Sequence, residues 1–469
     1  MAVRPHGRIS SLISKGEIVS KNECVFSKAN SPLLKQPGGS QLPLIERGRG
    51  IYLYDRSGRD YIDGSGGAMT VSIGHGVREV LDVMSTQADK VCFTYRTQFS
   101  SEPAENLAES ITALAPEGLD KVFFVNSGSE ATELALRTAQ QYWRIAGKPE
   151  KTHVLGRAIS YHGMTMGALS MSGHNARRSD YGNLLHTFAV APPPYPFRFP
   201  LEGTDAEAHG AMVWDRIIRE YGPERVAAVI VEPVVGAAGG ALTPPIGYLH
   251  ALRQICDRHD VLLISDEVIT GMGRTGRWFA CEHDGISPDM IATGKGMTSG
   301  YTPMGAVLFH RRIHEAFRDN GKIVPFGHTF SANPLSAAVC DAVIHYMREN
   351  DVLANVERRG AQLEEGLRRL SARFPWMADV RGRGLLWGFE FVTDAITKAA
   401  PDPARNANTE FVAHCFDAGL IVYSAGIAPY NNSTLLAPPL VISEEEMDEL
   451  LKRLETALTS FGAAMKFSA

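Results

Sequence analysis

Long apolar runs are missing from this chain of 469 residues: residues 1–20 have no apolar core of the signal-peptide kind, and the apolar stretch at 227–241 is broken by Glu232 and Pro233. That pattern reads as a soluble, cytoplasmic protein with no membrane partner. Clustered positive charge is missing too. The net charge is -5 and no run of Lys and Arg is interleaved with aromatics, which argues against a nucleic-acid partner. The six cysteines, Cys24, Cys92, Cys256, Cys281, Cys340 and Cys415, show no C-x-x-C spacing and no neighbouring histidine pair, so neither a disulfide frame nor a metal site is indicated. Cys256 and Cys340 fall in helical patterns and read as small buried hydrophobes. There is no internal repeat, and from 418 to 443 there is no charged residue at all.

What is present is enough apolar material, 44%, for a large core divided between two domains. From about residue 79 to 335, strand-like runs (122–125, 153–156, 226–231, 261–265, 290–292 and 305–309) alternate with helical stretches. Such alternation predicts an α/β domain, a mainly parallel sheet sandwiched by helices. A hairpin is expected from residues 50–55 and 60–64. Helices at 336–347 and 351–370, a strand at 384–392 and a last amphipathic helix at 444–458 would complete a smaller α+β domain, built from 1–78 and 336–469. The proline-rich stretch 191–200 must be a loop, either a surface excursion or an interface arm.

The chemistry gathers where apolar runs end. Lys295 lies in Gly294-Lys295-Gly296 after Met290-Ile291-Ala292, and Asp266 closes the run Val261-Leu262-Leu263-Ile264-Ser265. An aldehyde cofactor with a basic ring nitrogen, such as pyridoxal phosphate, needs both an amine to condense with it and an anion to keep the ring nitrogen protonated. Each residue alone equally fits an exposed turn or a helix cap. Lys121-Val122-Phe123-Phe124-Val125 then breaks at Asn126-Ser127-Gly128-Ser129-Glu130 into helical spacing, which predicts a strand, a tight turn and a helix N-terminus able to hold a phosphate. The competing reading is a capping box of Ser127 and Glu130. Tyr161, beside His162 and Gly163, could stack on a flat ring. Val268, two residues past Asp266 on a continuing strand, could cover its other face; both also fit a plain core role. The run Gly271-Met272-Gly273-Arg274-Thr275-Gly276 fits a dinucleotide fingerprint, but Arg277-Trp278-Phe279-Ala280 follows where a helix should open, so nicotinamide binding is set aside.

These segments, with Glu232-Pro233, His328-Thr329-Phe330, Arg381-Gly382-Arg383-Gly384-Leu385 and Ala437-Pro438-Pro439-Leu440, together resemble the class III (omega) aminotransferases, a family of fold type I pyridoxal phosphate enzymes. The resemblance implies that Lys295 binds the cofactor aldehyde, Asp266 faces the ring nitrogen, Tyr161 and Val268 cover the ring, and Ser127, Gly128 and Ser129 hold the phosphate. It implies a homodimer with shared active sites, Thr329 reaching the phosphate of the neighbouring subunit's cofactor. His162 and Glu232 match cofactor-site positions with less defined roles, and Met69 and Tyr95 fall in segments that shape the substrate pocket of relatives. The family members that use 2-oxoglutarate carry an Arg–Glu pair where this chain has Leu435 and Ala237, and 418–443 supplies no arginine. Arg96, Arg274, Arg383 or a nest of backbone amides would have to meet any substrate carboxylate, Arg383 also fitting a hinge ion pair. The implied activity is ping-pong transfer of an amino group from an amine or omega-amino donor to a small keto acid such as pyruvate. Aminomutase, racemase or decarboxylating chemistry, and a non-catalytic cofactor-binding role, remain alternatives.

Overall fold

This computed structural model describes residues 26–27, 32–34 and 42–467 apart from 187, 189, 200–205, 326, 428 and 431, and, within the helix Ala206–Tyr221, not the side chains of 206–209 and 211. The irregular stretch expected up to about residue 40, with Cys24, lies almost wholly outside those residues. The chain divides into two compact units, residues 1–48 with 53–60, and residues 49–52 with 61–469. The first carries most of strands β1 (Ile45–Arg49) and β2 (Tyr52–Asp55), and its chain then turns tightly toward β3 (Asp60–Ile62). Asp55 N donates to Arg59 O, and Ser57 N donates to Asp55 Oδ1 at 2.9 Å. Gly58, at φ +89°, supplies the left-handed position such a turn needs.

The second unit is organised by a seven-stranded sheet. Its strands are β4 (Lys121–Val125), β5 (His153–Arg157), β6 (Val190–Ala191), β7 (Val226–Val231), β8 (Leu262–Asp266), β9 (Met290–Thr293) and β10 (Gly305–Phe309), in the order β4-β10-β9-β8-β7-β5-β6. Alternate residues of the central strands enter two separate cores. Val229, Val231, Leu263, Ile291 and Leu308 pack under the helices Tyr248–Arg258 and Pro334–Glu349, whereas Ala228, Ile230, Ile264, Ala292 and Val307 pack under Gly128–Ile145. Burial on both faces is why these strands read as unbroken apolar runs. β5, β6, β7, β8 and β9 pair in parallel; β10 runs antiparallel to both β9 and β4. Only residues 294–304 join β9 to β10, and they hold no crossover helix, so the chain must double back.

A smaller antiparallel sheet follows, β11 (Met377–Arg383), β12 (Leu386–Phe391), β13 (Tyr423–Ala425) and β14 (Ser433–Leu436), in the order β11-β12-β14-β13. The single strand expected at 384–392 is therefore the second arm of a hairpin that turns at Gly384, φ +57°. β11 escaped the sequence reading because its Arg-Gly-Arg segment is polar and half-exposed and a bulge between Ala378 and Arg381 breaks its alternation. The helices Val352–Arg373 and Glu444–Met465 close one core with Phe389, Phe391, Phe411 and Trp376. Ser443 and Glu446 form a capping box at the start of the last helix.

The proline-rich loop is pinned to this sheet. Tyr195 donates its hydroxyl to buried Glu390 of β12, whose carboxylate also pairs with Arg198 and lies 3.8 Å from Arg381. Removing the anion leaves the Arg198 guanidinium without its carboxylate partner, whereas Arg381 keeps Asp379. Glu390→Gln is expected to cost about 3–5 kcal/mol, seen as a lower thermal unfolding midpoint; an unchanged midpoint would mean that Glu390 does not hold the loop.

Candidate active site

β4 ends in a turn that opens the helix Gly128–Ile145. Ser127 is its N-cap, accepting from Glu130 N at 3.2 Å, while Glu130 Oε2 accepts from Asn126 N at 2.7 Å. The cap and the phosphate reading thus coexist: the amides of Gly128 and Ser129, in the first turn, have no intrahelical acceptor. The walls there are tight. A Cβ on Gly128 would lie 2.7 Å from Val268 Cγ1, and one on Gly163, at φ +133°, would lie 2.8 Å from Ser129 Cα.

β8 delivers Asp266 to its carboxyl end, 4% exposed. One carboxylate oxygen lies 2.7 Å from His162 Nδ1 and the other accepts from Val268 N at 3.1 Å. His162 is itself clamped, its amide on Ser172 Oγ at 2.8 Å and its carbonyl under Thr132 Oγ1 at 2.6 Å, and its Nε2 has no hydrogen-bond partner. The strand stops at Asp266, so Val268 does not reach the cavity by strand alternation as expected from sequence. It arrives through a turn closed by Asp266's own side chain, and still lines the same cavity as Tyr161. Glu232, just past β7, accepts from Tyr161 N at 3.0 Å and from Gly236 N at 2.9 Å, and burial pushes its carboxyl up.

Lys295 follows β9 at φ +42°, a conformation that costs a side-chain-bearing residue strain. Its Nζ donates to Ala68 O at 2.7 Å. Burial pulls the amine down to about 8, although Asp266 and Glu232 oppose the shift and Arg177 adds to it. Lys295, Asp266, Glu232, Tyr161, His162, Val268, Met69 and the Ser127-Gly128-Ser129 turn all line one cavity of about 290 Å³.

Five residues proposed from sequence are not part of that lining. Thr329 is exposed, Tyr95 is 46% exposed, and Arg383 stands by His283 and Asp284, helping burial to hold His283 down to about 4. The other two arginine candidates are placed elsewhere: Arg274 is buried, donating to the carbonyls of Leu385 and Pro438, and Arg96 lies over the Phe123 ring and donates to Ser331 Oγ. Sequence reasoning missed Arg177, on the four-residue helix Asn175–Arg178, whose guanidinium stands 4.5 Å from the Tyr161 ring centroid. No motif marks it; its only signal was an Arg-Arg pair downstream of Tyr161. Leu435 is wholly buried in an apolar cluster with Met69, Ala425 and Ala437, against which Ala237, Ile269 and Tyr423 pack. The glycine-rich run 271–276 forms turns, and no α-helix opens directly after it.

An amine opposite a buried carboxylate, with a helix N-terminus at one end of the cavity, is the donor set that a flat aldehyde cofactor bearing a phosphate requires, and the close glycine walls suit a thin ring. The chain belongs to the class III aminotransferases: the Aminotransferase class-III family model matches residues 35–458. It is 40% identical over 426 residues to the uncharacterized aminotransferase YodT of Bacillus subtilis, covering 90% of this chain and 96% of that one. It is 33% identical to the taurine–pyruvate aminotransferase of Bilophila wadsworthia, covering 88% and 91%. An (S)-enantioselective omega-transaminase from Thermomicrobium roseum superposes with a TM-score of 0.84 at 34% identity, covering 89% of this chain and 92% of that one. The seven-stranded and smaller sheets are thus those of a fold type I enzyme, and membership of the family implies dependence on pyridoxal 5'-phosphate. No helix of the described residues is long and apolar enough to cross a membrane.

Proposed function

We propose that this chain is an aminotransferase that moves an amino group from an amine or omega-amino donor to a small keto acid, pyruvate or one of similar size, by a ping-pong route. The observation that carries this reading is the single cavity in which Lys295 Nζ shares its walls with the Asp266–His162 pair and the amino end of the Gly128–Ile145 helix. Bound there, pyridoxal phosphate would supply an aldehyde for amine capture and a ring that draws off the electron pair left by a departing proton.

The protein's part is positioning and proton handling. Ser127, Gly128 and Ser129 would hold the phosphate, joined by Thr329 from a second copy, which makes the working unit a homodimer. Tyr161 and Val268 bound the slot on two sides; Glu232 fixes the backbone of Tyr161. Asp266, oriented by His162, would hold an anion against the ring nitrogen. Lys295, partly neutral near pH 7, would both anchor the cofactor and move a proton at Nζ.

Acceptor choice follows from the wall made by Met69, Ala237, Ile269 and Tyr423, packed on the apolar cluster that buries Leu435. It is apolar, and a second carboxylate pressed on it would go unpaired. Steady-state rates with one shared amine donor should therefore favour pyruvate over 2-oxoglutarate, and faster turnover of 2-oxoglutarate would refute the reading. The paired change Ala237→Glu with Leu435→Arg should raise the 2-oxoglutarate to pyruvate ratio by about tenfold or more, because it installs a compensated cation. Leu435→Arg alone buries an unpaired charge and should chiefly destabilise.

A further inference from the structure

We propose that Arg177 is the specificity-determining residue that takes the substrate carboxylate, pairing with the 2-oxo acid acceptor and with any amino-acid donor. The inference rests on the aminotransferase reading and names how that site recognises its acids. Among the described residues lining the cavity, Lys295 and Arg177 are the only two cations, and Lys295 is committed to the carbonyl of Ala68 and, in the proposed chemistry, to the reacting carbon. A carboxylate drawn out of water into this cavity needs a cation. The lining residues Met69, Ala237 and Ile269 are apolar, and the uncharged stretch 418–443 offers none.

Arg177 is suited to the task by its mounting. Its neighbour Arg178 donates through Nη1 to the carbonyls of Leu169 and Ser170, both at 2.7 Å, and of Ser172 at 3.0 Å, tying the Asn175–Arg178 turn to the end of the helix Met166–Met171. Arg177 is thereby held over the Tyr161 ring, 4.5 Å from its centroid. Among the described residues it forms no ion pair. Cation–ring stacking leaves donors of the planar guanidinium available for a bidentate carboxylate. Tyr161 is also the ring expected to lie on the cofactor. An acid bound at Arg177 would thus be placed beside the reacting centre.

The test uses cofactor-loaded wild type, Arg177→Ala and Arg177→Lys, titrated by calorimetry with propanoate, an unreactive monocarboxylate, and with propanamide as its uncharged counterpart. Arg177→Ala should weaken propanoate binding on the order of tenfold to a hundredfold while moving propanamide little, and Arg177→Lys should fall between. The KM for pyruvate should rise in step, and the KM for a monoamine lacking a carboxylate should rise far less. Propanoate affinity that survives Arg177→Ala would overturn the proposal, and so would a loss matched by equal loss of pyridoxal phosphate, which would make Arg177 a cofactor ligand. Failure of wild type to turn over any keto acid would instead defeat the aminotransferase reading, and the propanoate titration would still decide the role of Arg177.

Discussion

Lys295→Ala protein mixed with pyridoxal phosphate, reduced with borohydride and digested, should yield no labelled active-site peptide, and its amino-transfer rate should fall by about 10⁴-fold or more, because proton transfer by a positioned base alone contributes roughly 10²–10⁴ and the covalent anchor is lost besides. Wild type should carry the label on Lys295. A depressed amine alone does not make this choice: Lys151 is also pulled down to about 8 by burial. But Lys151 Nζ donates to three carbonyls, those of Pro223, Val226 and Asp260, and does not line the cavity. Label on Lys151 would sink the assignment. The pH sense is fixed by the same shift. With Lys295 near 8 rather than its ordinary value above 10, roughly one amine in ten is neutral at pH 7, against fewer than about one in a thousand for an exposed lysine. Cofactor uptake by the apo-protein should therefore speed up with rising pH and level off above about 8. Because the folded amine sheds its proton more readily than the unfolded one, this group favours the folded apo-protein increasingly as pH climbs from about 8 to 10.5.

The legible part of this molecule is the part written locally. Strands β7, β8 and β9 are apolar on both faces, so each announces itself as a run, and a parallel strand must end where the next element begins; Asp266 and the Gly294-Lys295-Gly296 turn are visible because they interrupt such runs. What stayed hidden depends on pairing or on turns. That β10 runs against its neighbours follows from the absence of a crossover helix in 294–304, which a pattern of apolar residues does not encode. Val268 lines the cavity by way of a side-chain-closed turn, not by the strand alternation expected from sequence. β11 is polar and bulged, and is held by β12 and by the approach of Gly384 to Thr275. The proline-rich loop read as a surface excursion or an interface arm because its partner Glu390 is far away in the chain. Arg177 belongs to the same class. A four-residue helix has no periodicity to read, and its meaning comes from Tyr161 beneath it and Arg178 behind it.

Asp266→Asn should retain the fold and the cofactor yet lower kcat/KM by about 10²–10³, the usual scale for removing one preorganised electrostatic partner from a buried site. The amide can still accept from Val268 N, so the turn that places Val268 survives, and the loss isolates the charge. His162 bears on the same atom. With Asp266 accepting at Nδ1, His162 carries its proton there, and its ring is fixed by buried contacts at 0% side-chain exposure. It is a positioning residue, so His162→Ala should cost less than Asp266→Asn, about tenfold. Combining the two should add little to Asp266→Asn alone, because both act through one carboxylate. The readout is single-turnover reaction of an amine with cofactor-loaded enzyme, in which product release plays no part. Additive losses would show that His162 works independently of Asp266, and an Asp266→Asn enzyme within about threefold of wild type would mean that the buried anion is a structural feature of the strand end, leaving the ring nitrogen without the partner that aminotransfer requires.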